Sequence, residues 1–124
     1  MVLKILTMSE NINSNGHIFG GWVTSQIDMG GAILAKEISG EKVVTAQIKK
    51  IIFLKSIAVG DLFICYAHST KIGKSSITIK IEVWIKTLRS KPSGKFYLAA
   101  EAIVIYVAVD STGKPRELLP MSII

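Results

Sequence analysis

Asp28 is the residue with the most chemistry to offer in this 124-residue chain. It stands inside a run, Phe19 to Ile38, with the apolar spacing of one long helix, and the run stops at Ser39-Gly40. At 3.6 residues per turn, Gly21, Thr24, Ser25, Asp28, Gly31, Ala32 and Ala35 share one strip. Bulky residues such as Trp22, Ile27, Met29 and Leu34 flank it. Aspartate is a poor interior helix residue. A carboxylate in apolar surroundings is costly, and such groups concentrate at functional sites. The small neighbours let an extended ligand or another chain come close. In that setting a carboxylate works as a general base or as a nucleophile. The competing reading is a solvated helix residue, which the greasy flanks disfavour.

Gly16, Gly20 and Gly21 stand at or before the helix start. A helix N-terminus presents free N–H groups and partial positive charge, and glycine lets an oxygen approach them. That arrangement polarises a carbonyl or holds an oxyanion. Close packing at the start of the helix accounts for the same glycines. Asn11, Asn13 and Asn15 are turn formers or polar site residues. His17 reads as an exposed loop residue, His68 as a mid-strand structural one. Cys65, between Ile64 and Tyr66, reads as a small core residue rather than a nucleophile. No nucleophile elbow, P-loop or dinucleotide fingerprint is present. One cysteine excludes a disulfide framework, and two histidines cannot make a multi-histidine metal centre without much carboxylate help, so no metal is expected.

The elements that must position Asp28 follow from the rest of the chain. Its length suits one domain, residues 1–124, and 49% apolar against 19% charged residues excludes a disordered or coiled-coil chain. No apolar run reaches the ~18 residues of a membrane helix, and Met1 to Thr7 lacks a signal-peptide pattern. A cytoplasmic domain is expected. Val2 to Leu6 reads as a short edge strand and Ser9 to Gly16 as a loop. After Gly40 the chain is strand: Lys42 to Leu54, Leu62 to Lys71, Ser76 to Lys86 and Phe96 to Val109. Ser76 to Lys86 alternates cleanly, with Ile77, Ile79, Ile81, Val83 and Ile85 on one face. Phe96 to Val109 is apolar on both faces and reads as a strand covered twice. The fold class is α+β, one helix packed on an antiparallel sheet. One helix cannot cover so much apolar sheet, so a partner subunit is expected. The net charge of +6 suits an anionic partner. Basic runs interleaved with aromatics are lacking, which argues against nucleic acid.

The stretch Asn13-Ser14-Asn15-Gly16-His17-Ile18-Phe19-Gly20-Gly21-Trp22, then Ser25-Gln26-Ile27-Asp28-Met29-Gly30-Gly31-Ala32, resembles the signature of hotdog-fold acyl-CoA thioesterases. It is similar most of all to the bacterial YciA-type short-chain enzymes. The likeness continues through Val43-Val44-Thr45, Phe53-Leu54-Lys55, Lys71 to Ser76, Ile81 to Trp84 and Tyr106 to Asp110. It spans nearly the whole chain without large gaps.

The resemblance implies a hotdog, a long central helix wrapped by a curved antiparallel sheet. It implies sheets paired edge to edge in a dimer, and often a trimer of dimers. The family's catalytic aspartate falls on Asp28, and its loop asparagine on Asn13, supplied across the subunit interface. Amides of Gly20 or Gly21 would polarise the thioester carbonyl. CoA would run along the interface past Phe19 and Lys55. Its phosphates would lie near Lys71, Gly73, Lys74, Ser75 and Ser76. CoA is part of substrate and product, and no cofactor is implied. His17 and Asn11 depart from the family pattern, which favours acidic residues there. Two other readings stand beside this one. One is a hydroxyacyl-thioester dehydratase pairing His17 with Asp28; the other is a hotdog that binds acyl-CoA or a protein without catalysis.

Overall fold

Six elements form in the computed structural model, which describes residues 1–8, 17–18, 20–88 and 95–118. They are β1 (Leu3–Leu6), α1 (Gly20–Ser39), β2 (Val43–Phe53), β3 (Leu62–Ile72), β4 (Ser76–Lys86) and β5 (Phe96–Ala108). The expected loop from Ser9 to Gly16 and the break at Pro92-Ser93-Gly94 lie outside the described residues. The strands form one antiparallel sheet in the order β1-β3-β4-β5-β2. The short first strand is an edge, as its length suggests. The opposite edge is β2.

β4 shows why the sheet forms. Ile77, Ile79, Ile81, Val83 and Ile85 are fully buried, while Thr78, Lys80, Glu82 and Trp84 are half-buried on the other face. Each buried aliphatic side chain contributes ~1.5–3 kcal/mol by leaving water. β5 lies between β4 and β2. Its Ala102, Val104, Tyr106 and Ala108 are buried, but Glu101, Ile103, Ile105 and Val107 keep part of their surface. Double coverage of this strand is therefore not met in the single chain, because one helix reaches one face only.

α1 lays Val23, Ile27, Gly30, Gly31 and Ala35 on the sheet. Trp22 meets Phe63 of β3 edge-to-face, with ring centroids 5.2 Å apart. The helix ends where expected. Gly40 takes φ +77° and donates its N–H to the Lys36 carbonyl at 2.8 Å. The strip of small residues does not persist as one surface. Gly31 and Ala35 are in the core, Gly21 and Ser25 are exposed, and Thr24 and Asp28 lie at the boundary. The helix is also less enclosed than its sequence suggests, with Met29 51% exposed. The physical reason is that a lone sheet covers one side of a helix whose apolar residues extend beyond that side.

Cys65 sits on β3 under Gly30, fully buried, and burial pushes its thiol up to about 12. The thiolate is the reactive form, so this cysteine is inert at neutral pH. A chromogenic disulfide reagent added to the folded protein is expected to release no colour from Cys65 within minutes. One equivalent should appear on adding denaturant. Rapid labelling without denaturant would contradict the packing.

The segment after β5 ties the end of α1 to the β3–β4 turn. Arg116 donates from Nη2 to the Ser39 carbonyl at 3.3 Å and from Nε to the Val109 carbonyl at 3.1 Å. The first of these contacts satisfies a free carbonyl at the end of α1. Two residues on, the Leu118 amide donates to the Lys74 carbonyl at 2.8 Å, anchoring the β3–β4 turn.

Candidate active site

Asp28 is placed in the third turn of α1, half-buried at the helix boundary that faces β5 and β2. The sheet sends two hydroxyls to it. Thr45 of β2 and Tyr106 of β5 are direct cross-strand partners, so their side chains emerge together on the face toward the helix. Thr45 Oγ1 donates to Asp28 Oδ1 at 2.7 Å. Tyr106 Oη lies 2.8 Å from the Asp28 carbonyl oxygen and 3.1 Å from Oδ1. Burial of the phenol, and then the negative charge of Asp28 beside it, push its ionisation well above the ordinary tyrosine range. Tyr106 is therefore a donor at any physiological pH.

Gly31 makes this approach sterically feasible. A Cβ there would collide with the Tyr106 hydroxyl, so only a glycine lets the ring lie against the helix at this point.

The structure divides the other sequence-predicted residues into two groups. Gly20 and Gly21 begin α1, about two turns from Asp28 in the same chain. There Gly20 lines an open groove with His17, Ile18, Val23, Phe53, Lys55 and Ser56. The Lys55 ammonium stands 5.4 Å from the centroid of the Tyr97 ring. The second group is the β3–β4 turn at the Asp28 end of the sheet. Gly73 closes it by donating to the Ser76 carbonyl at 2.8 Å. Ser76 pairs with Val107, one residue past Tyr106. Lys74 is exposed, and Ser75 and Ser76 are half-buried. Lys71 is also exposed, but it pairs with Thr78 and so belongs to the face away from the helix. Asn13 and Phe19 lie outside the described residues. His17 is with the groove and not with Asp28 in one chain.

Sequence reasoning assigned no role to Thr45 or Tyr106. A signal was present for each. Thr45 follows two valines in an apolar strand, and Tyr106 is the sole side chain carrying a hydroxyl in the run Ala102 to Val109. Among the described residues, no group of three or more His, Cys, Asp or Glu is arranged to hold a metal. No helix among them is long and apolar enough to cross a membrane.

A long helix that lays a half-buried carboxylate against an antiparallel sheet is the frame of a hotdog protein, and comparison with known proteins agrees. Residues 15–91 match the family described as the thioesterase superfamily, and the chain belongs to it. It is 67% identical to an uncharacterised acyl-CoA thioester hydrolase of Buchnera aphidicola (from Schizaphis graminum), over all of this chain and 92% of that one. It is 54% identical to the acyl-CoA thioester hydrolase YciA of Salmonella typhimurium, over 95% of this chain and 89% of that one. Among solved structures it is similar to HI0827, a hexameric broad-specificity acyl-coenzyme A thioesterase crystallised as an aspartate-to-alanine mutant. There the TM-score is 0.94 and the identity 46%, over 98% of this chain and 87% of that one. It is also similar to an acyl-CoA hydrolase of Staphylococcus aureus, at TM-score 0.84 and 29% identity, over 94% of this chain and 69% of that one. That enzyme was solved as an aspartate-to-alanine and a threonine-to-alanine mutant, the threonine 17 residues after the aspartate.

Proposed function

We propose that this chain hydrolyses acyl-CoA thioesters, releasing free CoA and a carboxylic acid, with Asp28 as the general base. The observation that carries the reading is the Asp28 carboxylate gripped by Thr45 and Tyr106 in a chain of this superfamily. The separation of Asp28 from Thr45 is 17 residues, the same as that of the two positions mutated in the Staphylococcus aureus hydrolase.

The reaction divides between the two groups of residues. Asp28 takes a proton from water as the water oxygen attacks the thioester carbon. The negative charge that develops on the carbonyl oxygen is held by helix N-terminal amides at Gly20 and Gly21. The C–S bond then breaks, the acid forms, and the departing sulfur takes the proton back from Asp28. One donor of this kind is worth roughly 10²–10³ in rate.

Within one chain these amides are too far from Asp28 to serve it, so the site is shared. Among the described residues β2 has no strand on its outer side, and it is exposed along most of its length. Thr45 and Phe53 lie near its two ends, roughly 26 Å apart at ~3.3 Å per residue. Antiparallel pairing of two copies along β2, about a two-fold axis near Lys49, brings Thr45 opposite the partner's Phe53. The partner's Gly20 then comes to the Asp28 side of the interface, and Asn13 is supplied across it. The homo-oligomer is a dimer at least, and three such dimers give a hexamer like that of HI0827. The enzyme works in the cytoplasm without a cofactor.

The direct test is CoA release from short acyl-CoAs, read with a free-thiol reagent. Sustained turnover is expected. Tight binding of acyl-CoA without CoA release would favour a non-catalytic hotdog.

The CoA phosphates are placed at the β3–β4 turn, where Lys74 offers charge and the serine hydroxyls and exposed amides offer donors. Lys74→Glu is expected to raise KM for acyl-CoA severalfold with little change in kcat, since the phosphates are remote from the reacting carbonyl. The effect should shrink with added salt. An equal KM penalty on an acyl-pantetheine, which lacks the nucleotide, would show that the turn reads something other than phosphate.

A further inference from the structure

The Asp28 carboxylate is held asymmetrically. Thr45 and Tyr106 both reach Oδ1, and no described residue donates to Oδ2. Tyr106 also reaches the backbone carbonyl of Asp28 at 2.8 Å, so its one hydroxyl touches both the side chain and the main chain of the same residue. That double contact fixes the carboxyl relative to the helix axis. The phenol is fully buried and backed by β4 through Ile77, its cross-strand neighbour. It cannot follow a moving carboxylate outward. Thr45, by contrast, is an exposed residue on the edge strand and contacts Oδ1 alone.

We propose that Tyr106 is the positioning residue for catalysis, clamping Asp28 Oδ1 from inside the core so that Oδ2 is the oxygen that accepts the proton from water. Tyr106 does not touch substrate and transfers no proton. It acts by removing the rotation of the Asp28 carboxyl about its Cβ–Cγ bond, which would otherwise exchange the two oxygens. A base must be held within hydrogen-bond reach of its proton, and a misplacement of ~1 Å costs as much as 10²-fold in rate. Gly31 belongs to the same device, because its missing side chain leaves the space that the hydroxyl fills.

The inference rests on the hydrolase reading, and its test separates the two. Tyr106→Phe keeps the ring and its packing and removes only the hydroxyl. Steady-state kinetics of CoA release are measured for the wild type, Tyr106→Phe, Asp28→Asn and the double variant, with melting temperatures as the control for folding. The expected result is a kcat fall of roughly ten- to a hundredfold in Tyr106→Phe. KM should stay within about twofold, because substrate contacts are intact. On the Asp28→Asn background the same substitution should cost nothing further, since there is no base left to position. A kcat loss below about fivefold, a loss carried by KM, or an equal loss on both backgrounds would overturn the proposal. If Asp28→Asn is inactive and Tyr106→Phe is normal, the positioning role alone fails. If the wild type releases no CoA, the hydrolase reading fails and this one with it.

Discussion

Asp28→Asn is expected to lower kcat on short acyl-CoAs by about a thousandfold or more while leaving the fold intact, within the 10²–10⁴ of a positioned general base. Asparagine matches aspartate in size. Its amide oxygen can still accept from the Thr45 hydroxyl and from Tyr106, so the contacts that seat the residue survive. What disappears is the ability to take a proton from water. The half-buried boundary position gives no reason for a large stability change, and the melting temperature should move little. Residual turnover would come from the oxyanion donors and binding alone. The measurement is CoA release with a free-thiol reagent, with circular dichroism to confirm the fold. A variant that keeps more than about a tenth of wild-type kcat would remove Asp28 from the role of base or nucleophile.

The second large effect concerns the shared site. Asn13→Ala and Asp28→Asn are each expected to be nearly inactive alone, and active again when mixed. A dimer with one subunit of each kind holds one site with both residues intact and one with neither. After complete random exchange, about a quarter of all sites are restored. The β2 edge, unpaired among the described residues, and the two helical turns between Asp28 and Gly20 within one chain are what the proposed sharing rests on. Subunit exchange is first demonstrated by mass-tagged chains, and CoA release is then followed with time. Exchange without recovery would place the whole site in one subunit and remove the reason for pairing along β2.

How far the sequence leads depends on the range of the interaction concerned. The alternation from Ser76 to Lys86 determined a strand whose isoleucine face is buried, and the structure has the same bounds. Ser39-Gly40 determined where the helix stops, because the positive φ there excludes most side chains. Asp28 stood out because aspartate is a poor interior helix residue and its neighbours at helical spacing are bulky and apolar. These are local arguments, and local patterning is sufficient for them. The family likeness through Gly20-Gly21 and Asp28 is legible at the same level.

Which side of the helix is buried was not legible in this way. Small residues at helical spacing predicted one strip, yet Gly31 is in the core and Ser25 is exposed. The sheet determines that division, and its position relative to the helix depends on contacts distant in sequence. The partners of Asp28 illustrate this most clearly. Thr45 follows it by 17 residues and Tyr106 by 78. They converge only because β2 and β5 pair in a register that places Thr45 beside Tyr106. A shift of β2 by one residue would turn Thr45 to the face opposite Tyr106. The sequence by itself therefore determined the elements and the carboxylate. The tertiary structure alone decided which hydroxyls hold that carboxylate, since strand register is a property of the whole sheet and no short segment encodes it.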